Sequence, residues 1–192
     1  MSPRTSHQLQ QLREMKKQQI MQAALKVFAN HGVNGATINM IAKEAGIAKG
    51  LLYTYYESKE QLLDELLRFG MQKAASFLYE DTSGKLETKK EFASSLRKMI
   101  QLFLQEKDFW RLYTMLALQP HMAEKFYKEA MAFLQQYLEV YVAYFKKKKS
   151  ANPMAEAMLF GSILDGLMFD LMVVPEEYPI DDVIEMIIKK FA

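Results

Sequence analysis

Apolar positions recur along the chain at intervals of three and four, the spacing that lines one face of an α-helix, while short runs alternating every second residue between turn residues are nearly absent. The pattern predicts an all-α protein of about nine helices. Ile20, Ala24, Val27 and Phe28 share one face of a first helix expected over about residues 10–30. His31-Gly32 ends it, the glycine taking the left-handed position past the last turn. Thr37 is placed to cap a second short helix with an inward stripe of Ile38, Ile41, Ala42 and Ala45, and Gly46 supplies the turn that follows. A third short helix is expected over about Lys49 to Tyr55. Ser58 then caps a long helix, with Gln61 as its capping-box partner and Leu62, Leu63, Leu66, Leu67, Phe69, Ala74, Phe77 and Leu78 as its apolar face. Asp81 to Gly84 reads as a loop. Further helices are predicted at about 88–105, 108–118, 120–148, 153–173 and 180–191, delimited by polar breaks or by Pro120, Pro153, Pro175 and Pro179.

Half of the 192 residues are hydrophobic and a quarter charged, a globular composition with material for a substantial core. The length suits a small module, residues 1–60, followed by a larger helical body, residues 61–192. The net charge of +2 is unevenly spread: residues 1–60 hold 8 Lys/Arg against 4 Asp/Glu, and the remainder 17 against 19. Such a distribution fits a polyanion-facing head on a neutral body. Cysteine is absent, which excludes a disulfide framework and a thiolate zinc site. Residues 1–17 lack the apolar stretch of a secretory signal, and the longest apolar run, near Leu167–Val174, is interrupted by Asp170. The expectation is a cytoplasmic protein with no membrane partner. The one charge run, Lys146 to Lys149, reads as a solvated helix end where cations meet the negative end of the helix dipole.

Candidate chemistry concentrates in TINMIAKEAGIAKGLLYTYYESKEQLL, from Thr37 to Leu63. Two short helices joined by a turn of about three or four residues have the spacing of a helix-turn-helix, whose second helix projects into a major groove. Lys49, then Tyr53, Thr54 and Tyr55, then Lys59 at the head of the next helix, cluster phosphate donors around a single acid, Glu57. Tyr56 shares the inner face with Leu52 and is expected to pack the small domain. Helical hairpins also dock proteins, so the alternative is an interaction module in which the tyrosines anchor a partner.

The first-helix ending ALKVFANHG, the second-helix pattern T-x-x-x-I-A-K-E-A-G, the turn IAKG, the recognition-helix ending LYTYY and the following SKEQLL together cover residues 16–66. As an ensemble they resemble the N-terminal domain of the TetR (tetracycline repressor) family of bacterial regulators. The resemblance implies that Thr37 touches a phosphate, that Lys49, Tyr53, Tyr55 and Lys59 grip the DNA backbone, and that Ala48, Leu51 and Thr54 face the bases. It also implies a homodimer on a palindromic double-stranded DNA operator, released by a small-molecule effector, with no cofactor. The sequence departs from the commonest family pattern at Ala48, where Ser or Thr often caps the helix, at Leu51, where a small residue is frequent, and at Tyr56, where Phe is usual. Fewer polar groups then face the bases, which favours contact with thymine methyls or shape readout.

The larger body has no motif, but its middle helices are rich in big adaptable side chains. Met99, Phe103, Trp110, Tyr113, Phe126 and Met131 are the candidates for lining a pocket for an apolar or aromatic ligand. Met158, Gly161, Leu164 and Met168, with Ile184, Ile187 and Ile188, are the candidates for a dimer interface, which the resemblance places on the last two helices. An enzyme would need converging nucleophile, acid, base or metal ligands. His7, His31 and His121 lie far apart with no paired spacing, so no catalytic or metal residue is assigned.

Overall fold

A computed structural model describes residues 6–79, 85–120, 122–173 and 178–192; the expected loop at 81–84, Pro175 and His121 lie outside them. Among the described residues every regular element is a helix: α1 Ser6–Gly35, α2 Ile38–Glu44, α3 Lys49–Tyr53, α4 Lys59–Tyr79, α5 Lys89–Gln105, α6 Lys107–Ala117, α7 Ala123–Lys147, α8 Pro153–Val173 and α9 Ile180–Phe191. None is long and apolar enough to cross a membrane. The residues group into two compact units, one of residues up to 69 with 112–126, the other of 70–111 with 127–192.

In the first unit, α1 starts at Ser6 rather than near residue 10, because Gln, Leu, Arg, Glu, Met and Lys propagate a helix well without an apolar stripe. Gly32 takes the expected positive φ of 71°, but its ψ of 157° lies outside the left-handed helical region. The chain then resumes a helical turn to Gly35. Gln119 repairs this interruption: its Oε1 accepts the Val33 N–H at 3.0 Å and its Nε2 donates to the Phe28 carbonyl at 2.7 Å. The apolar stripe of α1 (Ile20, Ala24, Val27, Phe28) is buried with Ile41, Ala42 and Ala45 of α2, Leu52 of α3 and Leu62, Leu63, Leu66 and Leu67 of α4. Thr37 caps α2, its Oγ1 accepting the Met40 N–H at 3.2 Å. Gly46, at φ 63°, makes the turn into α3. Ser58 caps α4 through the Gln61 N–H at 3.0 Å, but the Gln61 side chain reaches back to the Glu57 N–H at 2.6 Å, one residue before the position a capping box uses.

The second unit is held by rings. Phe92 of α5 stacks on Tyr144 of α7 with centroids 5.0 Å apart, Phe160 of α8 sits 4.9 Å from Tyr141, and Phe191 of α9 closes against Phe145 and Phe160. Thr88 and Glu91 form a full capping box at the start of α5. At the end of α7, Lys149 adopts φ 59° while the Ser150 N–H donates to Phe145 O and the Lys149 N–H to Lys146 O, a Schellman-type stop. The lysine run there is exposed and locally engaged: Lys147 pairs with Glu87 at 2.6 Å, and Lys148 donates to the Phe191 carbonyl at 3.0 Å.

Candidate nucleic-acid interface

Helix α3 has one buried side and one open side, and its five-residue length makes the division sharp. Leu52 and, just beyond, Tyr56 turn inward and are buried; Lys49, Leu51, Tyr53 and Thr54 are exposed, with Leu51 40% and Tyr53 47% accessible. The Lys49 ammonium lies 6.0 Å from the centre of the Tyr53 ring, and the Arg13 guanidinium 5.6 Å from that of Tyr55. Cations resting on ring faces keep their donors directed outward while the side chain is held in place.

The two threonines present different faces. Thr37 Oγ1 accepts the Met40 N–H, so its own proton stays available to a phosphate oxygen. Thr54 Oγ1 donates to Leu51 O at 2.7 Å, which commits its proton and leaves its lone pairs and methyl group toward the outside. Ala48 is the N-cap of α3 and gives no side-chain hydrogen bond. Lys59, expected among the phosphate donors, is half-buried, and its Nζ donates to Val33 O at 2.8 Å and Ala36 O at 3.0 Å. Two of its three donors thus serve the carboxyl end of α1, where unsatisfied carbonyls attract a cation.

Residues not identified from sequence join this surface. Leu9, Leu12, Arg13 and Lys16 of α1 border an open groove with Thr54 and Tyr55. The available signal was the basic excess before residue 60, to which Arg13 and Lys16 contribute at the helical spacing of three.

The second unit contains a cavity of about 180 Å³ lined by Phe77, Met99, Phe103, Trp110, Phe133 and Tyr137, with Met158, Gly161, Leu164, Asp165 and Met168 of α8 completing the wall. Only Met99, Phe103 and Trp110 of the expected pocket residues reach it. Tyr113 and Phe126 belong to the first unit, where the Tyr113 hydroxyl donates to Leu67 O at 2.6 Å and the two rings lie 5.9 Å apart. Met131 is 42% exposed on a separate open groove along α7.

Of the residues expected at the dimer interface, Met158 is 46% exposed and the others are mostly covered by their own chain. Met158, Gly161, Leu164 and Met168 line the cavity. Gly161 makes room for an aromatic ring of its own chain: a side chain begun there would meet the Tyr137 hydroxyl at 3.1 Å and Cζ at 3.2 Å. Ile184, Ile187 and Ile188 are 6%, 5% and 6% exposed, packed inward within their own unit because α9 has a single apolar face. Met154, Met158, Leu159, Phe169 and Val173 of α8 stay open, and Leu159, Phe169 and Val173 share a stripe with Ala155, Ser162 and Gly166 at spacings of three and four, Ser162 also bordering the cavity.

Residues 20–66 match the family model described as bacterial regulatory proteins of the tetR family. The chain is 33% identical over 87 residues to the fatty acid metabolism regulator protein of Bacillus subtilis strain 168, covering 45% of each chain. It is 40% identical over 53 residues to the HTH-type transcriptional repressor KstR2 of Mycolicibacterium smegmatis, covering 28% of this chain and 26% of that one. It thus spans about half or less of the length of these curated relatives. The crystal structure of the transcriptional regulator FadR from Bacillus subtilis in complex with stearoyl-CoA has the same fold, with a TM-score of 0.67 and 22% identity over 91% of this chain and 96% of that one.

Proposed function

We propose that this chain is a homodimeric repressor of the TetR family of bacterial regulators that a small ligand releases from operator DNA. In this reading residues 1–60 form the DNA-binding head and residues 61–192 the ligand-binding and dimerisation body. The observation that carries it is the open face of α3, where Lys49, Leu51, Tyr53 and Thr54 are exposed while Leu52 and Tyr56 anchor the helix from behind. Lys49, Tyr53, Tyr55 and Thr37 hold phosphates; Ala48, Leu51 and Thr54 meet base edges. Leu51 and the Thr54 methyl suit thymine methyl groups, and the Thr54 lone pairs suit an adenine or cytosine amino group. Lys59 acts chiefly by fixing the end of α1 beside α4, and Arg13 and Lys16 add phosphate contacts at the flank.

Two heads reading a palindrome must reach successive major grooves about 34–36 Å apart. The open stripe on α8, with small residues Ser162 and Gly166 between Leu159 and Phe169, suits a self-complementary helix pair across a two-fold axis. The aromatic cavity is the effector site, and a ligand bound there favours a head spacing that no longer fits the operator. That a regulator of this fold, FadR of Bacillus subtilis, is solved in complex with stearoyl-CoA supports a small-molecule ligand for this chain. The relatives are named as regulators of metabolism and transcription, which supports a reading in which the chain is no enzyme and works on operator DNA in the cytoplasm.

The test is DNA binding by fluorescence anisotropy between 50 and 200 mM salt. Phosphate contacts predict an affinity that falls by about 10³-fold or more across that range for six or more neutralised phosphates. An affinity indifferent to salt would instead fit aromatic docking on a protein partner.

A further inference from the structure

Resting on the effector-site reading above, we propose that the cavity selects an organic cation with an aromatic or compact apolar body, held between its ring faces and the carboxylate of Asp165. The wall supplies five aromatic side chains, Phe77, Phe103, Trp110, Phe133 and Tyr137, and its remaining side chains are aliphatic, thioether or hydroxyl apart from Asp165. Among the described residues, no lysine, arginine or histidine lines it. Aromatic faces attract a cation that has left water, and the exposed carboxylate of Asp165 in the same wall adds a counter-charge at the mouth.

The two lining hydroxyls point the same way. Tyr137 donates to Ala157 O at 2.8 Å and Ser162 donates to Met158 O at 3.0 Å, so both protons are committed to backbone carbonyls. Their oxygens turn lone pairs rather than donors toward a ligand, which suits an ammonium and opposes a carboxylate or phosphate. Lys73 of α4, adjacent in sequence to the lining Ala74, is paired with Glu106 at 2.7 Å and lies over Phe109. Asp165 itself has neither a hydrogen-bond nor an ion-pair partner among the described residues. Asp165 is exposed at the mouth of the cavity, and partial desolvation there raises its carboxyl above the usual aspartate range. A group in that condition is stabilised by the arrival of a positive charge and further destabilised by an anion. The volume of about 180 Å³ suits a body of one or two rings rather than a long chain.

The test uses three probes of nearly one shape on the full chain: trimethylphenylammonium, its neutral isostere tert-butylbenzene, and 4-tert-butylbenzoate. Trp110, the single tryptophan, lines the cavity and reports occupancy by its fluorescence. The cation is expected to bind about tenfold more tightly than the neutral isostere, and the anion more weakly than both. In Asp165→Asn the cation's preference over its isostere should fall several-fold, to what the ring faces alone provide, whereas Asp165→Glu should retain it. If the neutral probe binds as tightly as the cation in the unmodified protein, or if Asp165→Asn leaves their ratio unchanged, charge selection is overturned while the cavity still binds. If none of the three changes Trp110 fluorescence, the effector-site reading fails and this proposal with it.

Discussion

Gln119 holds Val33 by a side-chain carbonyl that accepts its N–H at 3.0 Å, just past the Gly32 interruption in α1. The other end of the same amide donates to Phe28 O. A helix broken by one positive-φ residue strands a donor and an acceptor, and one glutamine amide matches both. Gln119→Leu is expected to cost about 1–3 kcal/mol. In a chain of this length that lowers the thermal midpoint by roughly 3–10 °C. Gln119→Glu, which keeps the acceptor but sets an oxygen against the Phe28 carbonyl, should fall in between. A midpoint unmoved by Gln119→Leu would show that water replaces the amide at no cost.

Tyr56 is 1% exposed, and its hydroxyl has no hydrogen-bond partner among the described residues. Burial accordingly pushes its ionisation well above the ordinary tyrosine range. Tyr56→Phe removes an unsatisfied polar atom and nothing else, so stability should rise by about 1 kcal/mol with DNA affinity unchanged. Denaturant unfolding reads the first and anisotropy the second. A destabilised Tyr56→Phe would mean that the hydroxyl bonds a buried water.

Arg13 rests on the Tyr55 ring beside Lys16, outside the residues 20–66 that match the family model. If this flank touches phosphate, Arg13→Ala should weaken binding to specific and unrelated DNA in similar proportion. It should also flatten the log-log salt slope by about 0.9 for each phosphate that is no longer neutralised. Lys49→Ala should act in the same way from α3. A variant that discriminated better or worse between sequences would instead place Arg13 at base edges.

How much could be read from the chain depended on how local the determinant was. Thr37 and Gly46 act within their own turns, so α2, the turn and α3 were legible residue by residue. Lys59 was not, because the carbonyls it serves at Val33 and Ala36 lie 26 and 23 residues away. Helix α8 is apolar on nearly every side: Leu164 and Leu167 are buried, Met158 and Met168 line the cavity, and Leu159 and Phe169 face out. Periodicity cannot choose a face when the polar side is missing. In α9 the choice was visible, since Asp181, Asp182, Lys189 and Lys190 oppose Ile184, Ile187, Ile188 and Phe191. That stripe belongs to the chain's own core, and only an all-round apolar helix leaves a second face for a partner.

Phe169, 50% exposed at the centre of the open α8 stripe, is therefore the residue on which dimerisation should depend. A two-fold interface contains the substitution twice, so Phe169→Asp should weaken association by about 3 kcal/mol or more. Sedimentation equilibrium should show the dimer replaced by monomer at micromolar concentration, with helical content by circular dichroism retained. Operator affinity should fall with it, because the second head loses the high effective concentration that linkage gives. A dimer that survives Phe169→Asp would move the interface elsewhere, the groove along α7 being the next candidate.

Asp165 also sets the sign of a pH effect. Partial desolvation raises the carboxyl of Asp165, which solvent still reaches and screens, above the value of about 3.9 that it has when unfolded, so the effect on stability is small but its sign is fixed. Between those two values the folded state binds more protons than the unfolded one, so stability is highest below the unfolded value and declines as pH rises through the folded value. Asp165→Asn removes that decline and should melt higher than the unmodified protein at neutral pH, with the difference vanishing toward pH 3. Saturating trimethylphenylammonium should have the same effect on the unmodified protein, since a cation beside the carboxylate lowers its ionisation back toward the ordinary range. Thermal midpoints of the two proteins from pH 3 to 8, with and without the probe, separate these contributions. A variant that tracks the unmodified chain at every pH would show that water already solvates the carboxylate, leaving it nothing to gain from a ligand's charge.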